Sequence, residues 1–379
     1  MPQNIAFGPR IRKSPFFDAT QSAGVSHYSI YNKMYFPVSY GDPLAEYDRL
    51  VNGVAMWDVA VERQVKIKGP NALDLVRVLT PRNLDKITIG QGRYVPICDH
   101  RGTLINDPVL LPISQDEYWL SIADNDLILW ARAIAYERKM LVDISEPDVS
   151  PLAVQGPKAK QVMIDMFGDW IEELKYFGFR YTIYNGIELF VSRSGWSKQG
   201  GYEIYLTDSR WGQHLWDAVA LAGAVHGIGP GAPNYIERIE SGLLSLGADT
   251  DDDTNPFELC MDKMIDLDQD LDFVGKEALK RIHSIGPARL WRGYVMDGEP
   301  FVGPNVQRWP VTVSGMPVGH VSAGAYSPRL KKNIGLGLVS SHYADSDALL
   351  VVETEHGERT AQVTRLPFDV PKAKVQATQ

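Results

Sequence analysis

The sequence predicts an α+β chain in three parts: two related α+β modules, then a small all-β domain. Two observations carry this. An apolar strand, a Gly-Pro step and a helix start occur at residues 65–72 and again at 152–159. Past Ile285 the helical patterns give way to short apolar runs separated by Gly, Pro and Asp, as in a small barrel. The length of 379 residues agrees, because single cores stop growing near ~250–300 residues.

The elements follow in order. Asp42-Pro43 opens a short amphipathic helix over 44–52. Residues 54–60 lead into an alternating strand at 64–68, and Gly69-Pro70-Asn71-Ala72 starts a helix running to about Leu79. Runs 92–98 and 104–111 flank Asp99-His100-Arg101-Gly102 and read as one hairpin. A strand at 118–122, a helix at 124–138 and a strand at 142–145 close the first block. Beyond the second Gly-Pro step, helices are expected at 211–226 and 234–246, joined by the glycine-rich connector 227–233. The all-β part reads as strands at 291–296, 307–312, 316–322, 335–339 and 349–353, before a polar, frayed tail from Pro371.

The segment richest in chemistry is Arg193-Ser194-Gly195-Trp196-Ser197-Lys198-Gln199-Gly200-Gly201-Tyr202-Glu203-Ile204-Tyr205. A small, polar turn enters an alternating strand, so Glu203 and Tyr205 share one face. Gly200 and Gly201 are expected to let a ligand approach the backbone. A simple glycine turn explains the same residues about as well.

Composition narrows the function. With 38 Lys+Arg against 47 Asp+Glu the formal charge is -9, which argues against a general binder of nucleic acid or anionic membranes. The first ten residues lack the apolar core of a signal peptide, and no run approaches the ~20 apolar residues of a membrane span. A cytoplasmic protein is expected, with Cys98 and Cys260 as reduced, buried thiols. No histidine spacing suggests a metal, and residues 249–255 read as a solvated acidic loop. The 17 Tyr and 9 Trp are enough to furnish an aromatic box for a cation beside the core. A homodimer stays open as the oligomeric state.

Several motifs occur in a telling order. The glycine turn resembles the R-x-G-Y-T-G-E-x-G-x-E signature of the glycine-cleavage T-protein (aminomethyltransferase) family, with Arg193, Gly195, Gly201 and Glu203 matching. Trp57-Asp58-Val59 stands for the family's F-D-V, Gly69-Pro70-Asn71-Ala72 for G-P-D-A, and 102–107 for G-G-x-x-D-D. Gln155-Gly156-Pro157 stands for Q-G-P, Glu237-Arg238-Ile239-Glu240 for L-R-L-E, and Asn255-Pro256 for N-P. Phe273-Val274-Gly275-Lys276 stands for F-I-G-K, and Gly324-Ala325-Tyr326-Ser327-Pro328 for T-S-G-x-x-S-P. The resemblance spans nearly the whole chain. It implies a three-lobed ring around a tetrahydrofolate channel: a discontinuous central folate-binding domain from 1–55 and 147–284, a second α+β domain at 56–146, a C-terminal β-barrel at 285–372 and a tail at 373–379.

The family's Tyr-Thr-Gly is replaced here by Trp196-Ser197-Lys198. That run, with 28–34, 57–65 and 121–124, resembles a branch of the family that moves a methyl group from the sulfonium dimethylsulfoniopropionate to tetrahydrofolate. On this resemblance Glu203 accepts hydrogen bonds from the pterin edge, Tyr205 and Tyr94 offer hydroxyls or ring faces, and Ser121 offers a hydroxyl. Asp107 is the catalytic carboxylate near the reacting nitrogen. Tyr31, Trp196 and Lys198 meet the donor, the aromatics facing its cation and the lysine its carboxylate. Two rivals stand beside this: a folate-dependent demethylase of an aryl methyl ether or methylated amine, with His27 or Lys198 assisting the leaving group, and a non-enzymatic folate-binding protein.

Overall fold

The computed structural model describes residues 7–345 and 347–371; the expected tail at 373–379 lies outside them. Among the described residues there are two large open sheets and one closed barrel. The first sheet has six strands in the order Phe179–Tyr184, Ile187–Ser192, Gly201–Leu206, Ser150–Gln155, Ala55–Asp58 and Gly229–Pro230. All its pairings are antiparallel except the last, where the expected connector contributes a two-residue parallel edge strand. The strand Ala55–Asp58 pairs with Ser150–Gln155, so a boundary between 55 and 56 cuts through a strand of this sheet.

The second sheet has five antiparallel strands in the order Asp143–Ser145, Gln64–Lys68, Glu117–Ser121, Val109–Pro112 and Arg93–Tyr94. Each sheet is backed by helices through its own apolar cluster. Ala159–Phe167 and Gly212–Gly223 cover the first, and Ala72–Leu79 and Leu127–Glu137 cover the second. Leu111, Trp119, Phe179 and Tyr205 join the two sheets in one small cluster.

The C-terminal part is a closed barrel of six strands, one more than the sequence reading names. The additional strand, Gly357–Thr364, has only Ala361 buried, so it carries almost no apolar signal. It pairs with Arg289–Met296 and closes the circle.

Three further expectations are corrected. The hairpin over 92–111 is broken in two: Arg93–Tyr94 pairs with Val109–Pro112, while Ile97–Cys98 pairs separately with Leu104–Asn106. Pro96 and Pro108 sit at the break, and neither can donate to a ladder. The helix expected over 234–246 stops at Ser241, because Gly242 takes the left-handed conformation (φ 59°) and caps it. Cys98 is buried as expected, whereas Cys260 is exposed.

Candidate active site

The break in the hairpin places Asp107. Asn106 ends its strand and fixes the turn: its Oδ1 accepts from the Asp107 and Ala123 amides at 3.0 and 3.1 Å. Tyr94, on the facing strand, donates its hydroxyl to Asp107 Oδ2 at 2.5 Å. Asp107 Oδ1 is shut off from solvent and has no hydrogen-bond partner among the described residues. Burial pushes the Asp107 carboxyl up to about 7, against the opposing hydrogen bond from Tyr94.

Glu203 and Tyr205 share a face as the alternation requires. The buried Tyr205 hydroxyl donates to Glu203 Oε2 at 3.1 Å, and the Ser194 hydroxyl donates to the same oxygen at 2.5 Å. The Tyr205 ring is packed into the cluster between the sheets, which leaves its hydroxyl and not its ring for the site. Burial raises the Glu203 carboxyl, against the two hydroxyl bonds. Ser121 is also buried, opposite Gln64 in the second sheet, and accepts from Gln64 Nε2 at 2.9 Å.

A third carboxylate joins these two. Glu62 follows the apolar run Val59-Ala60-Val61 and is raised well above the usual range by burial, then by the charges of Glu203 and Asp107. The Tyr31 hydroxyl lies in the same field: burial raises it first, then the charges of Glu62 and Asp107. Tyr31, Glu62, Tyr94, Asp107, Ser121, Glu203 and Tyr205 are therefore one electrostatic cluster. Sequence reasoning missed Glu62. An acid directly after an apolar run was the available signal.

Trp196 and Lys198 lie on the neighbouring loop between Ser194 and Gly201. Its glycines do not serve a ligand in the way expected. A Cβ on Gly195 would lie 1.9 Å from the Gln155 side-chain amide, and one on Gly201 would lie 2.4 Å from it. The loop is wrapped around Gln155, whose Nε2 donates to the Ser194 and Tyr202 carbonyls and whose Oε1 accepts from Ser197. Gly200 (φ 82°) is a turn glycine with open space around it. Trp196 Nε1 donates to the Leu244 carbonyl at 3.3 Å. The exposed Lys198 ammonium has no ion pair among the described residues; partial burial lowers its pKa and Glu237 opposes this. His27 is exposed and bonded to Ser26.

The acidic loop is also less solvated than expected. Asp249 is fully buried on Arg238 at 2.8 Å, and Asp251 pairs with Arg289.

The unmatched groups in the cluster have one polarity. Asp107 Oδ1 and Gln64 Oε1 are both buried acceptors without a donor among the described residues. Such acceptors fit a ligand that brings N–H groups, as a reduced pterin does. The chain matches the family models for the GCVT N-terminal domain over residues 16–269 and the glycine cleavage T-protein C-terminal barrel domain over 291–369. The chain belongs to the glycine-cleavage T-protein family. It is 42% identical to the dimethylsulfoniopropionate demethylase DmdA of Ruegeria pomeroyi, over 93% of this chain and 96% of the relative. It is 27% identical to an aminomethyltransferase of Halothermothrix orenii, over 94% of this chain and 100% of the relative. The T-protein fold is equally clear in three dimensions: the glycine-cleavage aminomethyltransferase T of Bartonella henselae superposes with a TM-score of 0.83 at 20% identity, covering 94% of this chain and 98% of that one.

Proposed function

We propose that this T-protein relative is a tetrahydrofolate-dependent demethylase that takes a methyl group from the sulfonium dimethylsulfoniopropionate. The observation that carries the proposal is the convergence of three carboxylates, the half-buried Glu62 and Asp107 and the buried Glu203, around Tyr31. A cationic donor favours the ionised carboxylates that burial and crowding disfavour, and a neutral ether does not. The likeness to the Ruegeria demethylase, against lower identity to the Halothermothrix aminomethyltransferase, points the same way.

Bound tetrahydrofolate supplies the amine nucleophile that receives the methyl group. Glu203, held by Ser194 and Tyr205, accepts from the pterin edge, and Tyr94 keeps Asp107 oriented. Asp107, near 7, is poised to hold the proton that the acceptor amine gives up at neutral pH. The sulfonium leaves as a neutral thioether, so no acid is asked of the protein at that end. Tyr31 and Trp196 offer aromatic faces to the cation, and Lys198 meets the donor carboxylate.

The folate end falls between the lobe formed by 7–58 with 147–284 and the lobe at 59–146. The protein is proposed to act in the cytoplasm on two small molecules, with the homodimer open to light scattering. A second reading keeps the fold and changes the donor. An aryl ether needs an acid at its oxygen, and Asp107 is partly protonated near pH 7. A donor panel separates the two: dimethylsulfoniopropionate, its neutral thioether counterpart and an aryl methyl ether, each with tetrahydrofolate. Methyl transfer from the sulfonium alone supports the proposal, and transfer from the ether alone overturns it.

A further inference from the structure

The family pattern Leu-Arg-Leu-Glu places a leucine where this chain has Glu237. The same family has Tyr-Thr-Gly where this chain has Trp196-Ser197-Lys198. These two departures, some forty residues apart in sequence, meet in space. Glu237 is fully buried on the helix Tyr235–Ser241. Its Oε1 accepts from the Lys198 backbone amide at 3.1 Å, from Gln199 Nε2 at 2.7 Å and from the Ser241 hydroxyl at 2.5 Å. Its Oε2 is buried and has no partner among the described residues.

A buried carboxylate is costly where an aliphatic side chain would do, so its three bonds call for a role. Bonds to a charged acceptor are stronger and more directional than neutral ones. Two of the three hold the loop that departs from the family pattern. A second attachment lies just past the end of that helix, where Trp196 Nε1 donates to the Leu244 carbonyl. On its other side the loop is gripped by Gln155. The loop is thus held from the sheet and from the helix, and the exposed Lys198 side chain has no ion pair among the described residues.

We infer that Glu237 is a positioning residue for donor specificity: it seats the 196–199 loop so that Trp196 and Lys198 present a fixed aromatic face and a fixed cation to a zwitterionic methyl donor. This rests on the proposal that these two residues meet the donor. The folate-facing residues Glu203 and Asp107 are held by other partners, so the two substrates separate in the test.

The test compares Glu237→Leu, which restores the family residue, Glu237→Gln, which keeps the accepting Oε1, and Gln199→Ala, which removes one of the loop bonds to Glu237 while leaving the carboxylate itself in place. Two quantities are read: donor KM against tetrahydrofolate Kd, and amide hydrogen exchange of the 194–201 peptide. Glu237→Leu is expected to raise the KM for dimethylsulfoniopropionate at least tenfold, leave folate Kd within twofold and speed exchange of the peptide. Glu237→Gln is expected to stay within about threefold of wild type on both readouts, and Gln199→Ala to fall between. Unchanged exchange in Glu237→Leu, or donor KM and folate Kd rising together, overturns the assignment. If Glu237→Leu does not fold, an unchanged donor KM in Gln199→Ala overturns it instead. Wild-type protein that does not demethylate dimethylsulfoniopropionate sinks the proposed donor, and the exchange comparison still decides whether Glu237 seats the loop.

Discussion

At the scale of single residues the chemistry rests on carboxylates kept out of water. Asp107 near 7 lies well above an exposed aspartate. The sign follows: the folded protein holds a proton that the unfolded chain has already released, so this group's contribution to stability is full below about 3.9 and is lost as pH rises towards 7. Asp107→Asn should therefore be the more stable protein at pH 8, by about 1–3 kcal/mol, with no such gain at pH 4. Thermal melts at the two pH values check this. The same variant should lose roughly 10²–10⁴-fold in kcat if Asp107 takes the proton in the rate-limiting step. Glu203→Ala removes a buried charged acceptor and should weaken tetrahydrofolate binding by about 1.5–3 kcal/mol, read by calorimetry. Trp196→Leu should leave folate binding alone and weaken the donor by roughly 1–2 kcal/mol. Equal losses for both ligands would place Trp196 outside the donor end.

At the scale of elements, the site depends on two interruptions of regular structure. The paired runs 92–98 and 104–111 look like one hairpin because they flank a single glycine turn, and only the pairing shows that Pro96 and Pro108 divide it. That division frees Asp107 from the ladder. The glycine loop was legible as a turn, and its strand placed Glu203 and Tyr205 on one face correctly. What the turn encloses was not legible, since Gln155 arrives from a strand about forty residues upstream. Gly195→Ala should therefore cost stability, by about 1–3 kcal/mol, through collision with Gln155 and a φ of 145°. A melting temperature equal to wild type would show that the loop relaxes around Gln155 freely. Glu62 escaped sequence reading for a similar reason: its partners Asp107 and Glu203 come from both sheets, and no local spacing connects them.

At the scale of the whole molecule, the repeated strand–Gly-Pro–helix grammar and the late change to short strands made three lobes readable, and the ordered motifs gave the family. The polar contacts between lobes were hidden, because they are made by groups with ordinary local sequence. Glu240 is the clearest case. Fully buried, it accepts from Tyr47 at 2.8 Å, from Ser327 of the barrel at 2.5 Å and from Arg329 Nε at 2.8 Å. It joins the helix Pro43–Asn52 and the helix Tyr235–Ser241 to the barrel. Glu240→Ala strands Arg329 without its partner and should destabilise the protein by about 3–5 kcal/mol, visible as a lower denaturant midpoint. Glu240→Gln should recover part of that loss.

The most direct test of the central claim is transfer of a labelled methyl group. Dimethylsulfoniopropionate carrying deuterated S-methyl groups is incubated with the protein and tetrahydrofolate, and the folate products are weighed by mass spectrometry. The account predicts 5-methyl-tetrahydrofolate carrying the intact label, formed only when both substrates are present and sharply reduced in Asp107→Asn. Folate that stays unlabelled, with active protein and millimolar donor, would contradict it.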